Sequence, residues 1–391
     1  MPPAFSRKEY DTRLKRVRSK MKERGLDALI IGNPSNINWL TGYDAWSFYT
    51  PQLMLVDFDN GPFWMGREMD AKTAFITTYL SSSQVISYPE NLVQRPDTHP
   101  SEFLSSWMNS SGFNNAKIGY ESDSYYASPR SLKALKSNLR NSKWIEEDLL
   151  VNWIRLIKSK EELVIMYQAG KIAEIAMKTA WNSSRVGVRQ CDLMADIIAA
   201  QIKGTPAFGG DMPALHPLIL AGKAASSAHP MWTDEKLQEG QTISFELGGC
   251  RKRYNVGLAR TIHLGKKEPQ ELSDTSKALQ EGMFEVINSL KAGVITSDVH
   301  SAWQKVLNKY NLVKKSRIGY SIGLSYSPDW GEHTISFRAG EKNAVPENAV
   351  VHIILGMWMK GWGMELSETL HVRSKDCKKL SNFPQHVHLV S

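Results

Sequence analysis

TISFELGGCRKRYNVGLARTIHL, Thr242 to Leu264, reads as two β-strands joined by a tight connection. Ile243, Phe245 and Leu247 alternate with Ser244 and Glu246, the period-2 pattern of a half-buried strand. Gly248-Gly249 is expected to break it, and Tyr254–Leu264 returns as a second strand. Glu246 is then the one charged group on the polar face of an otherwise apolar strand. A solvated strand carboxylate would give the same pattern. Its company (Tyr254, Arg260-Thr261 and the apolar run after them) points instead to a site.

Around this hairpin the chain has 391 residues, more than one typical core, which suggests two domains. Hydrophobic content of 42% and charged content of 23% are those of a soluble globular protein. No apolar run is long enough for a transmembrane helix. The first residues, MPPAFSRKEYD, lack a hydrophobic signal region, so a cytoplasmic location is expected. Cys191, Cys250 and Cys377 lie far apart, which argues against a zinc ribbon and a disulfide framework. The net charge of +8 comes from dispersed basic residues, and those in Arg7–Arg24 share a helix with acids. A nucleic-acid surface would cluster charge with aromatics, so no nucleic-acid partner is expected. Several of the 12 Trp fall in loops, which hints at an aromatic-lined pocket.

Ser6-x-x-Glu9 is a capping box opening a helix with Tyr10, Leu14, Val17 and Met21 at helical spacing. Strands near 28–31, 53–58, 63–65, 85–88 and 117–120 alternate with helices near 69–79, 102–109 and 128–139. That alternation predicts an α/β domain over residues 1–150. A second capping box, Ser159-x-x-Glu162, opens a long helix. Beyond it come long apolar strands, helices near 273–290 and 299–310, and closing strands near 335–337, 350–355 and 365–373. Residues 151–391 are expected to place helices on one side of a curved, mostly antiparallel sheet. The class is α+β.

The hairpin resembles the aspartate-bearing hairpin of the pita-bread, or M24, family of creatinases, aminopeptidases and prolidases. There an Asp-x-Gly is followed by a second Asp and then x-Thr-Arg-Thr. Here Glu246-Leu247-Gly248 replaces the first element, Gly257 stands at the second aspartate, and Leu258-Ala259-Arg260-Thr261 follows. GYSIGL (Gly319–Leu324) puts Tyr320 at the place of a liganding histidine. VHIILGMW (Val351–Trp358) puts Ile354 at the place of a glutamate. GMELSETLHV (Gly363–Val372) puts Ser367 at the last ligand, with Glu368 beside it. The resemblance covers most of residues 5–375 and implies a pita-bread C-terminal domain behind a creatinase-type N-terminal one.

A di-metal centre needs about five or six carboxylate and imidazole donors. Glu246, Gly257, Tyr320, Ile354 and Ser367 do not supply them, so neither metal nor other cofactor is expected. The departure is similar to creatinase, the family's metal-free C–N hydrolase. His229, in SSAHP (Ser226–Pro230), matches an active-site histidine of the family, and an imidazole near neutrality can pass a proton both ways. A loop histidine could also merely satisfy backbone groups. Arg338 stands near a spacing at which creatinase-like members hold a substrate carboxylate, and a surface ion pair is the competing account.

WLTGYDAWSFY (Trp39–Tyr49), SFELGGC (Ser244–Cys250), GYSIGLSYSPDWGEHTIS (Gly319–Ser336) and the Trp358/Trp362 pair narrow the resemblance to a metal-free branch acting on a small cationic cyclic amidine with a ring carboxylate. It implies Glu246 as nucleophile or base, His229 as proton carrier, and Arg338 on the carboxylate. Tyr320, Trp330, Glu332, His333, Trp358 and Trp362 would line the pocket. The family habit of dimers reaching across to the partner's site adds Trp46, Phe48 and Tyr49 of a homodimer as walls. A deacetylase acting on the product is the implied functional partner. A creatinase-like or other amidine/amide C–N hydrolase, and a non-enzymatic pita-bread binding module, are the rival readings.

Overall fold

A computed structural model of the chain describes residues 3–147 and 149–391, and these fall into two compact units, Met1–Arg155 and Leu156–Ser391. In the first, α1 (Arg7–Arg24) begins where the Ser6 side chain accepts from Glu9 N and closes on Gly25 in the left-handed conformation (φ 62°). Then come β1 (Ala28–Ile31), α2 (Pro34–Thr41), β2 (Leu53–Val56), β3 (Phe63–Arg67), α3 (Glu68–Thr77), β4 (Val85–Tyr88), α4 (Pro100–Ser110), β5 (Lys117–Tyr120), α5 (Pro129–Ser137), β6 (Lys143–Glu146) and α6 (Leu150–Arg155). The sheet order is β4-β3-β2-β1-β5-β6. β1–β5, β5–β6 and β3–β4 pair in parallel, as crossover helices require; β2 pairs antiparallel with β1, which it follows through α2, and with β3, which it meets across a hairpin. Leu104 and Met108 of α4 and Leu135 of α5 cover one face of the sheet, packing on Ile30, Leu55, Met65 and Ile118.

The second unit runs α7 (Lys160–Ser183), α8 (Gln190–Lys203), β7 (Leu218–Ala221), β8 (Thr242–Arg251), β9 (Tyr254–Leu264), α9 (Gln270–Ser289), α10 (Thr296–Lys309), β10 (Gly319–Ile322), β11 (Gly331–Ser336), β12 (Val350–Met359), β13 (Trp362–Val372), β14 (Cys377–Lys379) and β15 (His388–Val390). The Ser159–Glu162 capping box closes in both directions at the start of α7. The strands form two sheets, β15-β9-β8-β7 and β11-β10-β12-β13-β14. All pairs are antiparallel except β15–β9. One face of the β12–β13 pair is apolar: Ile353, Leu355, Met357, Met364, Leu366 and Leu370 pack with Leu279 and Met283 of α9 and Trp303 and Val306 of α10. The opposite face, one residue out of phase, is polar and builds the site.

The Gly248-Gly249 pair does not end its strand. β8 runs through both glycines to Arg251, and the chain turns at Lys252-Arg253, both at positive φ (49° and 64°), so that Arg251 faces Tyr254 across a two-residue hairpin. The glycines serve close approach instead. A Cβ on Gly248 would lie 2.9 Å from the Trp330 ring and 3.0 Å from Pro213, and one on Gly249 would collide with the α7 backbone at Ala169 and Ala173. No described helix is long and apolar enough to cross a membrane.

Candidate active site

Strand periodicity decides which side chains meet. On the hairpin, Ser244, Glu246 and Gly248 lie opposite Thr261, Ala259 and Gly257. On the other sheet, His352, Ile354 and Gly356 lie opposite Thr369, Ser367 and Glu365, with Tyr320 opposite His352. Short side chains stitch these polar faces together. Ala259 N donates to Ser367 Oγ (2.6 Å), Thr369 Oγ1 donates to Gly257 O (2.8 Å), and Thr261 Oγ1 accepts from Glu365 N (2.9 Å) while donating to its carbonyl (3.1 Å). Ser367 is thus committed to holding two strands together.

Glu246 lies among these faces, 5% exposed. Its Oε1 is 3.8 Å from His352 Nε2. The imidazole occupies the space that a side chain at position 257 would need: a Gly257 Cβ would sit 2.6 Å from His352 Cε1 and 2.8 Å from Nδ1. A residue from β12 therefore fills the slot emptied on β9. The ring is fully buried, its Nδ1 lies 3.1 Å from Thr369 Oγ1, and the rings of Trp330 and Tyr320 flank it at 5.5 and 5.8 Å. Trp330 Nε1 donates to Tyr320 OH (2.8 Å).

Burial sets the charge of the site. It raises the Glu246 carboxyl well above the carboxylate range, and the nearby charges of Glu365 and then Asp329 push further the same way. Glu365 is pushed up to about 7, again by burial, against a hydrogen bond from Trp358 Nε1 (3.3 Å) and the attraction of Lys314. Burial lowers Lys314 to about 8; its Nζ sits 4.2 Å over the Trp358 ring and donates to Gly356 O (2.8 Å). His352 falls to about 3 by burial, offset in part by the Gly257 backbone. Burial also pushes up the Tyr320 phenol, with Glu246 adding to the rise. The inner face so holds a neutral imidazole and two carboxyls that resist ionising.

Of the residues singled out in the sequence, Glu246, Tyr320, Trp330 and Trp358 come together here. His333 sits at the edge, bonded to Asp329 (2.7 Å); burial raises that carboxyl, but His333 and Gly331 N outweigh it and hold it low. His229, Arg338, Glu332 and Trp362 do not join them. His229 is exposed in the loop beyond Ser226. Arg338 makes an exposed pair with Glu341 (3.1 Å, 61% exposed), the surface alternative considered above. Glu332 forms a buried ion pair with Lys158 (2.6 Å, each side chain 1% exposed). Trp362 lies opposite Met359, one step out of phase with Glu365, and packs on the helix-side core. In the first unit, Trp46 and Tyr49 are exposed and meet edge to face at 6.2 Å, while Phe48 packs on Tyr126.

The residues missed were His352, Glu365, Lys314 and Arg317. The last stacks 4.4 Å over the Tyr320 ring and donates to Ser336 Oγ (3.1 Å). His352 and Glu365 each stand one strand period before a family ligand position, Ile354 and Ser367, which is the signal that would have found them.

The donor set does not fit the metal centre that related peptidases imply. Glu246 is the one carboxylate at those positions, Ile354 is apolar, and Ser367 is bonded to backbone. Among the described residues, no group of three or more His, Cys, Asp or Glu side chains could hold a metal ion.

Residues 13–157 match the creatinase/prolidase N-terminal domain and residues 164–374 match metallopeptidase family M24. The ectoine hydrolase of Halomonas elongata is 36% identical over 390 residues, spanning 98% of both chains. An uncharacterised hydrolase/peptidase of Sinorhizobium fredii is 36% identical over 385 residues, again 98% of both. Among solved structures, the Thermococcus sibiricus prolidase superposes with a TM-score of 0.85 at 15% identity, covering 97% of this chain and 99% of its own. The Thermotoga maritima X-Pro aminopeptidase gives 0.81 at 19%, covering 96% and 99%. These two likenesses establish the pita-bread fold.

Proposed function

The chain belongs to metallopeptidase family M24 and is a hydrolase, and from that premise we propose that it opens the cyclic amidine ring of ectoine, without a metal, to N-acetyl-2,4-diaminobutyrate. The observation that carries this is the buried Glu246, which keeps a carboxyl at a family ligand position while an imidazole fills the neighbouring one. The similarity to an ectoine hydrolase along the whole chain supports the substrate.

Ectoine at neutral pH is a zwitterion, its positive charge spread over an amidinium and its negative charge on the ring carboxylate. Burial disfavours the Glu246 carboxylate only while it is unpaired; a cation beside it reverses that penalty. The rings of Tyr320, Trp330 and Trp358 offer faces to a delocalised cation. The positive charge supplies the electrophilicity that a Lewis acid provides in peptidases. Glu246 then attacks the amidine carbon or activates water, and a proton goes to the departing nitrogen. For the ring carboxylate, Arg317 is the better clamp than Arg338, because it stands over Tyr320. A homodimer would give the exposed Trp46 and Tyr49 a partner surface to cover.

Glu246→Gln keeps shape and hydrogen bonding but removes nucleophilicity and basicity. Turnover should fall by roughly a thousandfold or more with ectoine still bound. Chelators should leave the wild type active. A Glu246→Gln enzyme with most of its turnover, or activity lost to chelation and restored by manganese, cobalt or zinc, overturns the proposal.

A further inference from the structure

We propose that His352 carries the proton of ring opening, passing it between Glu246 and the departing nitrogen, with Thr369 as the positioning residue that fixes its tautomer. This rests on the ring-opening reading above and assigns the proton step, which that reading left without a residue.

The tautomer follows from donor accounting. The Gly257 carbonyl can only accept, so the 2.8 Å contact from Thr369 Oγ1 uses the hydroxyl proton. The hydroxyl then has only lone pairs to offer His352 Nδ1 at 3.1 Å, so Nδ1 carries the ring proton. Nε2 is left with a lone pair, buried and without a hydrogen-bond partner among the described residues. Glu246 Oε1 lies 3.8 Å from it. That gap exceeds a hydrogen bond by about 1 Å, a distance a modest side-chain rotation closes. Buried acceptors are normally paired, and one left open towards a carboxyl at a reaction centre is an acceptor waiting for a proton. The ring has little freedom to turn elsewhere, because Gly257, Tyr320 and Trp330 enclose it. His229, which the sequence put forward for this task, is exposed.

The steps balance for attack by Glu246. The Glu246 carboxyl proton moves to His352 Nε2, leaving a carboxylate and an imidazolium. A carboxylate oxygen bonds to the amidinium carbon while the C=N pair moves onto nitrogen. His352 returns its proton to one ring nitrogen; the C–N bond breaks, and the other nitrogen's lone pair forms a new C=N. Water then adds to that carbon, the bond to Glu246 breaks, and the amide carbonyl forms. The two water protons finish on the freed amine, as ammonium, and on Glu246. One amidinium and one water become one amide and one ammonium.

The test replaces His352 by Ala in the full-length enzyme and assays ectoine opening. Turnover should drop by roughly a hundredfold or more with little change in KM. Added imidazole should restore part of it, and pyrazole, of the same ring size but far less basic, should not. Turnover within a few-fold of wild type, or rescue by pyrazole as good as by imidazole, overturns the proposal, the latter because it makes the ring mere packing. Should His352→Ala fail to fold, Thr369→Val decides. It should lower turnover without changing KM, and Thr369→Ser, which keeps the hydroxyl, should recover it; an unimpaired Thr369→Val refutes the tautomer argument. Glu246→Gln is assayed alongside. If that variant still turns over, the ring-opening reading fails; if it is dead while His352→Ala is active, only the present inference fails.

Discussion

Gly257→Ala tests whether the β12 imidazole truly occupies the slot on β9. The added Cβ would stand 2.6, 2.8 and 3.1 Å from three atoms of the His352 ring. Ordinary carbon contacts begin near 3.5 Å, so the ring or the strand must move by close to 1 Å. Neither moves cheaply, because the ring is fully buried, bonded to Thr369 and flanked by two aromatic rings. Overpacking of this kind costs about 1–3 kcal/mol. Loss of the Nδ1–Thr369 hydrogen bond would add about 1 kcal/mol. Denaturant unfolding of the wild type, Gly257→Ala, His352→Ala and the double variant forms a cycle. The double variant should be more stable than additivity allows by at least about 1 kcal/mol, since the new methyl then grows into the space the imidazole left. Additive costs within roughly 0.5 kcal/mol, or a neutral Gly257→Ala, would show that the ring does not fill the slot.

Glu365→Gln should change the pH dependence of stability. Burial raises Glu365 from 4.5 to about 7, so the stability it contributes is present below 4.5 and is lost as pH rises through about 7. The variant should gain on the wild type across that window by on the order of 3 kcal/mol. His352, lowered to about 3, and Glu121, raised to about 7 by burial, titrate in both proteins and cancel in the comparison. Parallel stability curves from pH 5 to 7.5 would refute the burial argument. Arg317→Ala should raise KM for ectoine about tenfold or more, whereas Arg338→Ala, which breaks an exposed pair worth roughly 0–1 kcal/mol, should leave it unchanged. The opposite pattern in steady-state kinetics would return the carboxylate to Arg338.

The sequence made the strands of the hairpin and Glu246 legible because a half-buried strand writes its two faces in alternate letters. The same rule accounts for Trp362. The resemblance pairs Trp362 with Trp358, yet the register places them on opposite faces, because Trp362 lies opposite Met359 and Trp358 opposite Gly363. Gly248-Gly249 looked like a turn, but glycine also marks close approach, and only the packed structure shows Trp330 and α7 against it. His229 and Arg338 are exposed, and that exposure depends on loop paths that no local pattern encodes. Glu332 looked like pocket polarity and is instead tied to Lys158, a partner far away in sequence.

Why an imidazole should take the place of an aspartate follows from charge. Several carboxylates can share a buried face when cations sit among them; without cations, each added negative charge raises the cost of the next. Positions 257, 354 and 367 carry no ionisable donor, and two carboxyls remain that burial holds towards the neutral form. Leaving the slot at 257 empty would have opened a polar void beside Glu246, and a second carboxylate there would have restored the repulsion. A neutral imidazole fills the volume and adds no charge. It also presents one lone pair to Glu246. The resulting face sets two buried carboxyls beside a neutral imidazole, with Lys314 and Arg317 over the Trp358 and Tyr320 rings. On the proposed reading such a face would discriminate by charge: an amidinium beside Glu246 favours its carboxylate form, while a neutral amide of the same shape leaves burial to oppose it.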